Sequence, residues 1–325
     1  DVTQTASFSA GTLKGTVAGS ATLDNPANDV GSLGDFETGT GFALADAGGL
    51  EVVGAVRNTS SGTLSLSTTG GHLAITGAIE GQDVALAASG GTSGIALDGT
   101  VSASGTLTLA AAGDVTQSAA LSAGTLEGTV GGSATLDNSA NAIATLGAFS
   151  TGSGLTLVDS SGGLTVAGTV SAATGNIDIG TAGGALALGA GGTVTGADIR
   201  LASTGGGIAL GGTVSATGTL TLAAAGDITQ TAAITAGTLA AATTSGAIRL
   251  DTASNDVAAL GAITAVGGGF YFDNGNNDLT LTATVQTRKD GGAPISIDVG
   301  TGALDTAGNA IETREATTTN IAAGA

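Results

Sequence analysis

The side chain best suited to proton transfer near neutral pH occurs once, as His72. It stands just before Leu73 and Ile75 in an alternating run, which turns those two inward and His72 outward. One isolated imidazole builds neither a Ser-His-Asp triad nor a histidine metal cluster, so His72 reads as a solvated surface residue. Cysteine is absent, which removes disulfides, thiol catalysis and thiolate metal sites together.

Oxygen ligands offer a second chemistry. Asp24, Asp137 and Asp251 each precede by four residues an asparagine, Asn28, Asn141 or Asn255, in SATLDNPANDV, SATLDNSANAI and AIRLDTASNDV. Calcium takes several such oxygens, which makes these three aspartates its candidates. The copies lie too far apart to share an ion, however, and the GGxGxD run of calcium-filled rolls is missing. Asx side chains bond their own backbone in turns, so a turn cap is the favoured reading and no cofactor is expected. Gly162-Gly163 and Gly183-Gly184 follow strands as phosphate loops do, but lack the lysine and the helix of a P-loop. Acids, arginines and tyrosine are too sparse to nominate a carboxylate pair for sugar hydrolysis, and outward threonines drift to Asp178 and Arg200 rather than forming a regular ladder.

The elements that must position these residues come from a tandem repeat. TLTLAAAGDVTQSAALSAGTL at 106–126 returns as TLTLAAAGDITQTAAITAGTL at 219–239, and the chain begins inside the same unit with DVTQTASFSAGTL. Asp1, Asp114 and Asp227 head three copies, 1–113, 114–226 and a third, 227–304, that drifts. Within each copy a shorter beat joins alternating runs such as TLTL and LTVAG through glycine corners, the period-two signature of strands.

A segment of about 20 residues has nothing to bury its leucines against, whereas stacked copies turn every apolar face inward and pair each strand with its equivalent in the next turn. The expected fold is all-β: a parallel β-helix, or β-solenoid, of about 14–15 rungs with a roughly triangular cross-section, continuous over 1–304. Leu107, Leu109, Leu164, Val166, Ile208, Leu210, Leu220 and Leu222 should be buried. Phe270 and Phe272 should point inward and widen the lumen, with Tyr271 outward. The 30-residue segment holding Asp24, Asp137 and Asp251 should bear a bulged or lengthened corner once per copy. Residues 305–325, poor in leucine, read as an irregular cap, linker or inter-subunit arm.

Charge narrows the partners. The formal charge is −19 with seven scattered basic residues, so no basic stripe exists for nucleic acid. No apolar run is long enough for a transmembrane helix. Methionine is absent even at position 1, and the chain therefore reads as a processed or excised piece.

The rungs TLTLAAAGDVTQ, GGLTVAGTVSA and GGIALGGTVSATG resemble the repeats of filamentous-haemagglutinin-like exoproteins and related β-strand-repeat surface proteins of Gram-negative bacteria, over Asp1 to about Val285. The resemblance implies a right-handed parallel β-helix shaft, secretion to the bacterial cell surface, and a role in adhesion, biofilm or surface fibres.

The functional expectation is a non-enzymatic extracellular rod, structural or adhesive, with itself and host or matrix glycans as partners. The alternative is a carbohydrate-binding or polysaccharide-degrading β-helix. Asp1 enters mid-unit, which leaves an unpaired strand edge at Asp1, Val2 and Thr3, and Thr317, Thr318, Thr319, Asn320 and Ile321 form a β-prone run in the tail. Head-to-tail assembly, the tail of one subunit completing the first rung of the next, is expected from these residues.

Overall fold

The structure is a computed structural model that describes residues 1–290, 292–313 and 319–323. It is a β-solenoid of parallel stacked strands, about 15 turns in all, with no helix among the described residues. Among the described residues no helix is long and apolar enough to cross a membrane. The chain divides into two compact units, Asp1–Asp159 and Ser160–Ala325.

In the first unit three inward columns run from turn to turn. One passes through Ala21, Phe42, Leu64, Val84, Leu107 and Leu126. A second passes through Leu50, Leu73, Ile95, Val115, Ala134 and Leu155. The third passes through Phe36, Val56, Ile79, Val101 and Leu121. Three columns mean three sheets around one apolar interior, and each fully buried Leu, Ile or Val contributes roughly 1.5–3 kcal/mol relative to exposure.

The second unit repeats the arrangement, as in the column Leu164, Leu186, Ile208, Ile228, Ile248, Phe270 and Ile295. All eight residues expected in the core are buried, none more than 1% exposed. Phe270 and Phe272 point inward with their rings 6.1 Å apart, while Tyr271 faces out beneath the Arg249 guanidinium at 4.4 Å.

The bulged corner appears once per copy. Register slips between Leu13 and Gly15, between Leu126 and Gly128, and between Leu239 and Ala241, each against a strand carrying an extra residue. Gly15 and Gly128 are needed there, since a Cβ on either would stand 2.9 or 2.6 Å from the ring of Phe36 or Phe149.

Beyond residue 304 the structure departs from the irregular tail expected. Leu304–Asp305, Ile311–Thr313 and Thr319–Ala322 are strands of a further turn. Leu304 stacks on Leu279, Ile311 on Val285 and Ile321 on Ile297, so the apolar columns continue. Each strand is two to four residues long, too short for alternation to show in the sequence.

Candidate functional site

Two series of polar residues that recur in every copy, the aspartates that head the copies and the asparagines Asn28, Asn141 and Asn255, bind the chain's own backbone. Asp1, Asp114 and Asp227 each accept an amide from the neighbouring turn: Ser20 at 2.8 Å, Ser133 at 2.7 Å and Ala247 at 2.7 Å. Asp35, Asp83, Asp198 and Asp278 do the same for Ala55, Thr106, Thr219 and Ala303. The Asp114 carboxyl is held below its usual value, first by the Ser133 amide and then by the Ser133 hydroxyl, with slight burial opposing.

The glutamine that closes DVTQ and DITQ meets the asparagine of the next turn. Asn28 is fully buried, its Nδ2 donating to the carbonyls of Leu23 at 2.9 Å and Ala45 at 3.1 Å and to Gln4 Oε1 at 3.2 Å. Its Oδ1 accepts the Phe8 amide at 3.2 Å and the Gln4 amide nitrogen. Asn141 with Gln117 and Asn255 with Gln230 repeat the pattern. These asparagines plug the interior at a corner and bind backbone groups from neighbouring stretches, in the first copy the Phe8 amide and the Leu23 and Ala45 carbonyls. The sequence held the signal, since a Gln precedes the Asn by 24, 24 and 25 residues in the three copies.

The aspartates proposed for capping and calcium behave differently. Alternation sends Asp24 outward because Leu23 points in, and Asp24, Asp137 and Asp251 are all exposed while their asparagines are buried. Asp and Asn therefore do not converge on one point. The turn is capped instead by Asn25 and Asn138, which accept the amides of Ala27 at 3.0 Å and Ala140 at 2.9 Å. Among the described residues no group of three or more His, Cys, Asp or Glu is placed to hold a metal ion.

Copies of a motif also turn away from each other. The strand Ser20–Leu23 joins the sheet of Gly41–Asp46, Thr63–Thr68 and Asp83–Ala88. Its counterpart Ser133–Leu136 joins a different one, through Val115–Gln117, Ile95–Leu97 and Leu73–Ile75. A repeat is thus not a whole number of turns, and the second copy is rotated by one face within the first unit. Asp24 and Asp137 leave from different corners and cannot form a row.

The residues expected to drive assembly are engaged in the solenoid. Asp1 staples Ser20, and Val2 and Thr3 pair with Ala21 and Thr22 while staying exposed. Thr319, Asn320 and Ile321 pair with Ile295, Ser296 and Ile297 rather than forming a free arm, and Ile321 is 48% exposed. Thr317 and Thr318 lie outside the described residues.

His72 is exposed, and its Nδ1 accepts the Gly94 amide at 2.9 Å, another link between turns. One surface feature breaks the small-residue pattern. Glu37, Arg57 and Glu80 stand in register on consecutive turns of the first unit, followed by Ser102 and Ser122. Arg57 Nε lies 3.4 Å from Glu80 Oε2, both side chains more than half exposed. The second copy carries Ser150, Ser171 and Thr195 at these positions, so the signal was present in the sequence as a local departure from the repeat.

A family described as repeats of unknown function (DUF5649) matches residues 81–150 and 196–264, which are two copies of the same stretch. No curated protein and no solved structure matches the chain significantly. The chain is a tandem-repeat β-solenoid protein, similar over those two stretches to these repeats.

Proposed function

We propose that the chain is a non-enzymatic structural segment of an extracellular bacterial surface fibre or adhesin shaft, acting through self-association and contact with glycans rather than through a cofactor. The observation that carries this reading is the use of the recurring polar groups. The Asp1, Asp114 and Asp227 staples and the Asn28, Asn141 and Asn255 plugs all bind the chain's own backbone, so what each copy preserves is stacking. An array whose turns bury only their neighbours can extend without a size limit, as a shaft requires. Acidic side chains on its surface keep a strand-rich solenoid soluble and discourage edge pairing. The likeness of TLTLAAAGDVTQ and GGLTVAGTVSA to filamentous-haemagglutinin-like repeats supports the surface location.

Immunogold labelling of producing cells, with electron microscopy of the sheared surface material, tests the reading. Label on extracellular filaments is expected. Recovery of the chain from the cytosol, or turnover of pectin or alginate by the pure protein, would overturn it.

A further inference from the structure

Asparagine precedes glycine once in the chain, at Asn274-Gly275. Such a step is chemically labile, because glycine has no side chain to keep its amide nitrogen away from the asparagine side-chain carbon. In the reaction the Gly275 nitrogen loses its proton and bonds to Asn274 Cγ, the bond from Cγ to Nδ2 breaks, and ammonia leaves with that proton. Water then opens the cyclic imide at either carbonyl, giving aspartate or isoaspartate.

The corner in the third copy ties down both reacting groups. Asn274 is fully buried; its Oδ1 accepts the Val257 amide at 2.9 Å and its Nδ2 donates to the Val257 carbonyl at 2.9 Å, so one residue holds both ends of the side-chain amide. The Gly275 amide donates to Asp273 Oδ1 at 2.7 Å. An N–H bound to a carboxylate gives up its proton less readily, since the nitrogen anion would form beside a negative oxygen. The backbone is fixed as well: the Asn274 amide donates to the Asp298 carbonyl at 2.8 Å, and the Asn274 carbonyl accepts Asn277 Nδ2 at 3.0 Å. Attack requires the Gly275 N–H to leave Asp273 and the Asn274 amide to leave Val257, so the corner must open first.

The other copies show what the fold accepts at this position. Asp46 and Asp159 stand at the equivalent places, both buried, and accept the corresponding amides of Val30 at 2.7 Å and Ile143 at 2.8 Å. An aspartate formed at 274 therefore keeps an acceptor for the Val257 amide and gives up the Nδ2 bond. Isoaspartate instead adds a methylene to the main chain between the strands Phe270–Asp273 and Leu279–Leu281.

We infer that Asn274-Gly275 is a latent deamidation site, closed in the folded corner by Asp273 and Val257 and reactive only when that corner opens. The inference concerns the chain's own chemistry and does not rest on the proposed function, so its failure leaves the shaft reading standing.

The experiment is prolonged incubation of the full chain in mildly alkaline buffer, with and without guanidinium chloride, followed by mass-spectrometric peptide mapping that separates Asn, Asp and isoAsp. The folded chain should react at Asn274 at least about tenfold more slowly than the unfolded one, because only the opened fraction reacts. Asp273→Ala installs the residue that the first copy carries as Ala45, so it should fold. By freeing the Gly275 N–H it should speed the folded-state reaction at least about threefold. Asp273→Asn keeps an oxygen for that N–H and should react more slowly than Asp273→Ala. Circular dichroism checks that the variants fold; if Asp273→Ala does not, the two rates of the parent chain decide. Equal rates in the folded and unfolded parent, a folded Asp273→Ala no faster than the parent, or an Asp273→Asn as fast as Asp273→Ala would each overturn the assignment.

Discussion

Asp46 Oδ1 accepts the amide of Val30 at 2.7 Å, and Asp46 Oδ2 accepts the amide of Gly48 at 2.8 Å, from a side chain only 1% exposed. In the third copy two residues divide these tasks. Asn274 takes the Val257 amide at 2.9 Å, and Asp273 takes that of Gly275 at 2.7 Å. The carboxylate in the first copy thus serves as a double acceptor at a corner.

That division sets the expected ranking of substitutions. Asp46→Asn keeps an acceptor for Val30 and sets an NH₂ against the Gly48 N–H, which should cost about 1 kcal/mol. Asp46→Ala leaves both amides without a partner and should cost about 2–4 kcal/mol. Chemical denaturation compares the two, and equal destabilisation would show that the Val30 bond contributes nothing.

The buried amide pair Asn255 and Gln230 makes a second case. Asn255→Leu removes the partner of the Leu250 and Asp273 carbonyls, the Ile234 amide and Gln230 together, and should cost on the order of 4 kcal/mol. Adding Gln230→Leu should recover part of that loss, because the second unpaired group is then removed as well. A double-mutant cycle measures the coupling, and strict additivity would argue against a shared network.

The fold was legible because it rests on period two and on repetition. Leu107, Leu164 and Ile208 alternate with small or polar neighbours in runs that recur, so their burial followed from spacing. The Gln4–Asn28 plug was not, since the two residues lie in different turns and the turn length must be known before they can be paired. Asp24 misled for a related reason: its spacing to Asn28 suggested one local turn, yet the strand ending at Leu23 decides which way it points. The strand Ile311–Thr313 was hidden because three residues carry no readable alternation.

Glycine is not equivalent at every corner. Gly54, Gly77 and Gly99 stack on successive turns, and a Cβ at Gly99 would stand 1.6 Å from the Gly77 carbonyl oxygen. Backbone cannot yield that distance without moving the turn, so Gly99→Ala should cost several kcal/mol, on the order of an overpacked core site. At Gly11 a Cβ meets nothing within 4 Å. Gly11→Ala should be neutral or stabilising by about 0.4–1 kcal/mol through the unfolded chain. Hydrogen exchange in the two variants checks this: protection around residues 75–79 should fall in the first and stay unchanged in the second.

Acid should weaken the turn that Asp114 holds. The Ser133 amide at 2.7 Å and the Ser133 hydroxyl at 3.0 Å bind the ionised carboxylate, which lowers its value in the folded chain below 3.8. The folded chain therefore holds the proton less readily than the unfolded chain does. The resulting stabilisation is fully present above the unfolded value and disappears as pH falls through the folded one. Because the carboxylate is largely exposed, solvent screens it and the effect is modest. Asp114→Ala should lose stability at pH 7 and approach the parent at acid pH, so its stability profile below about pH 4 should be flatter. Carbon-detected NMR titration of the Asp114 carboxyl provides the direct measurement, and a midpoint at or above 3.8 would remove the basis for the acid effect.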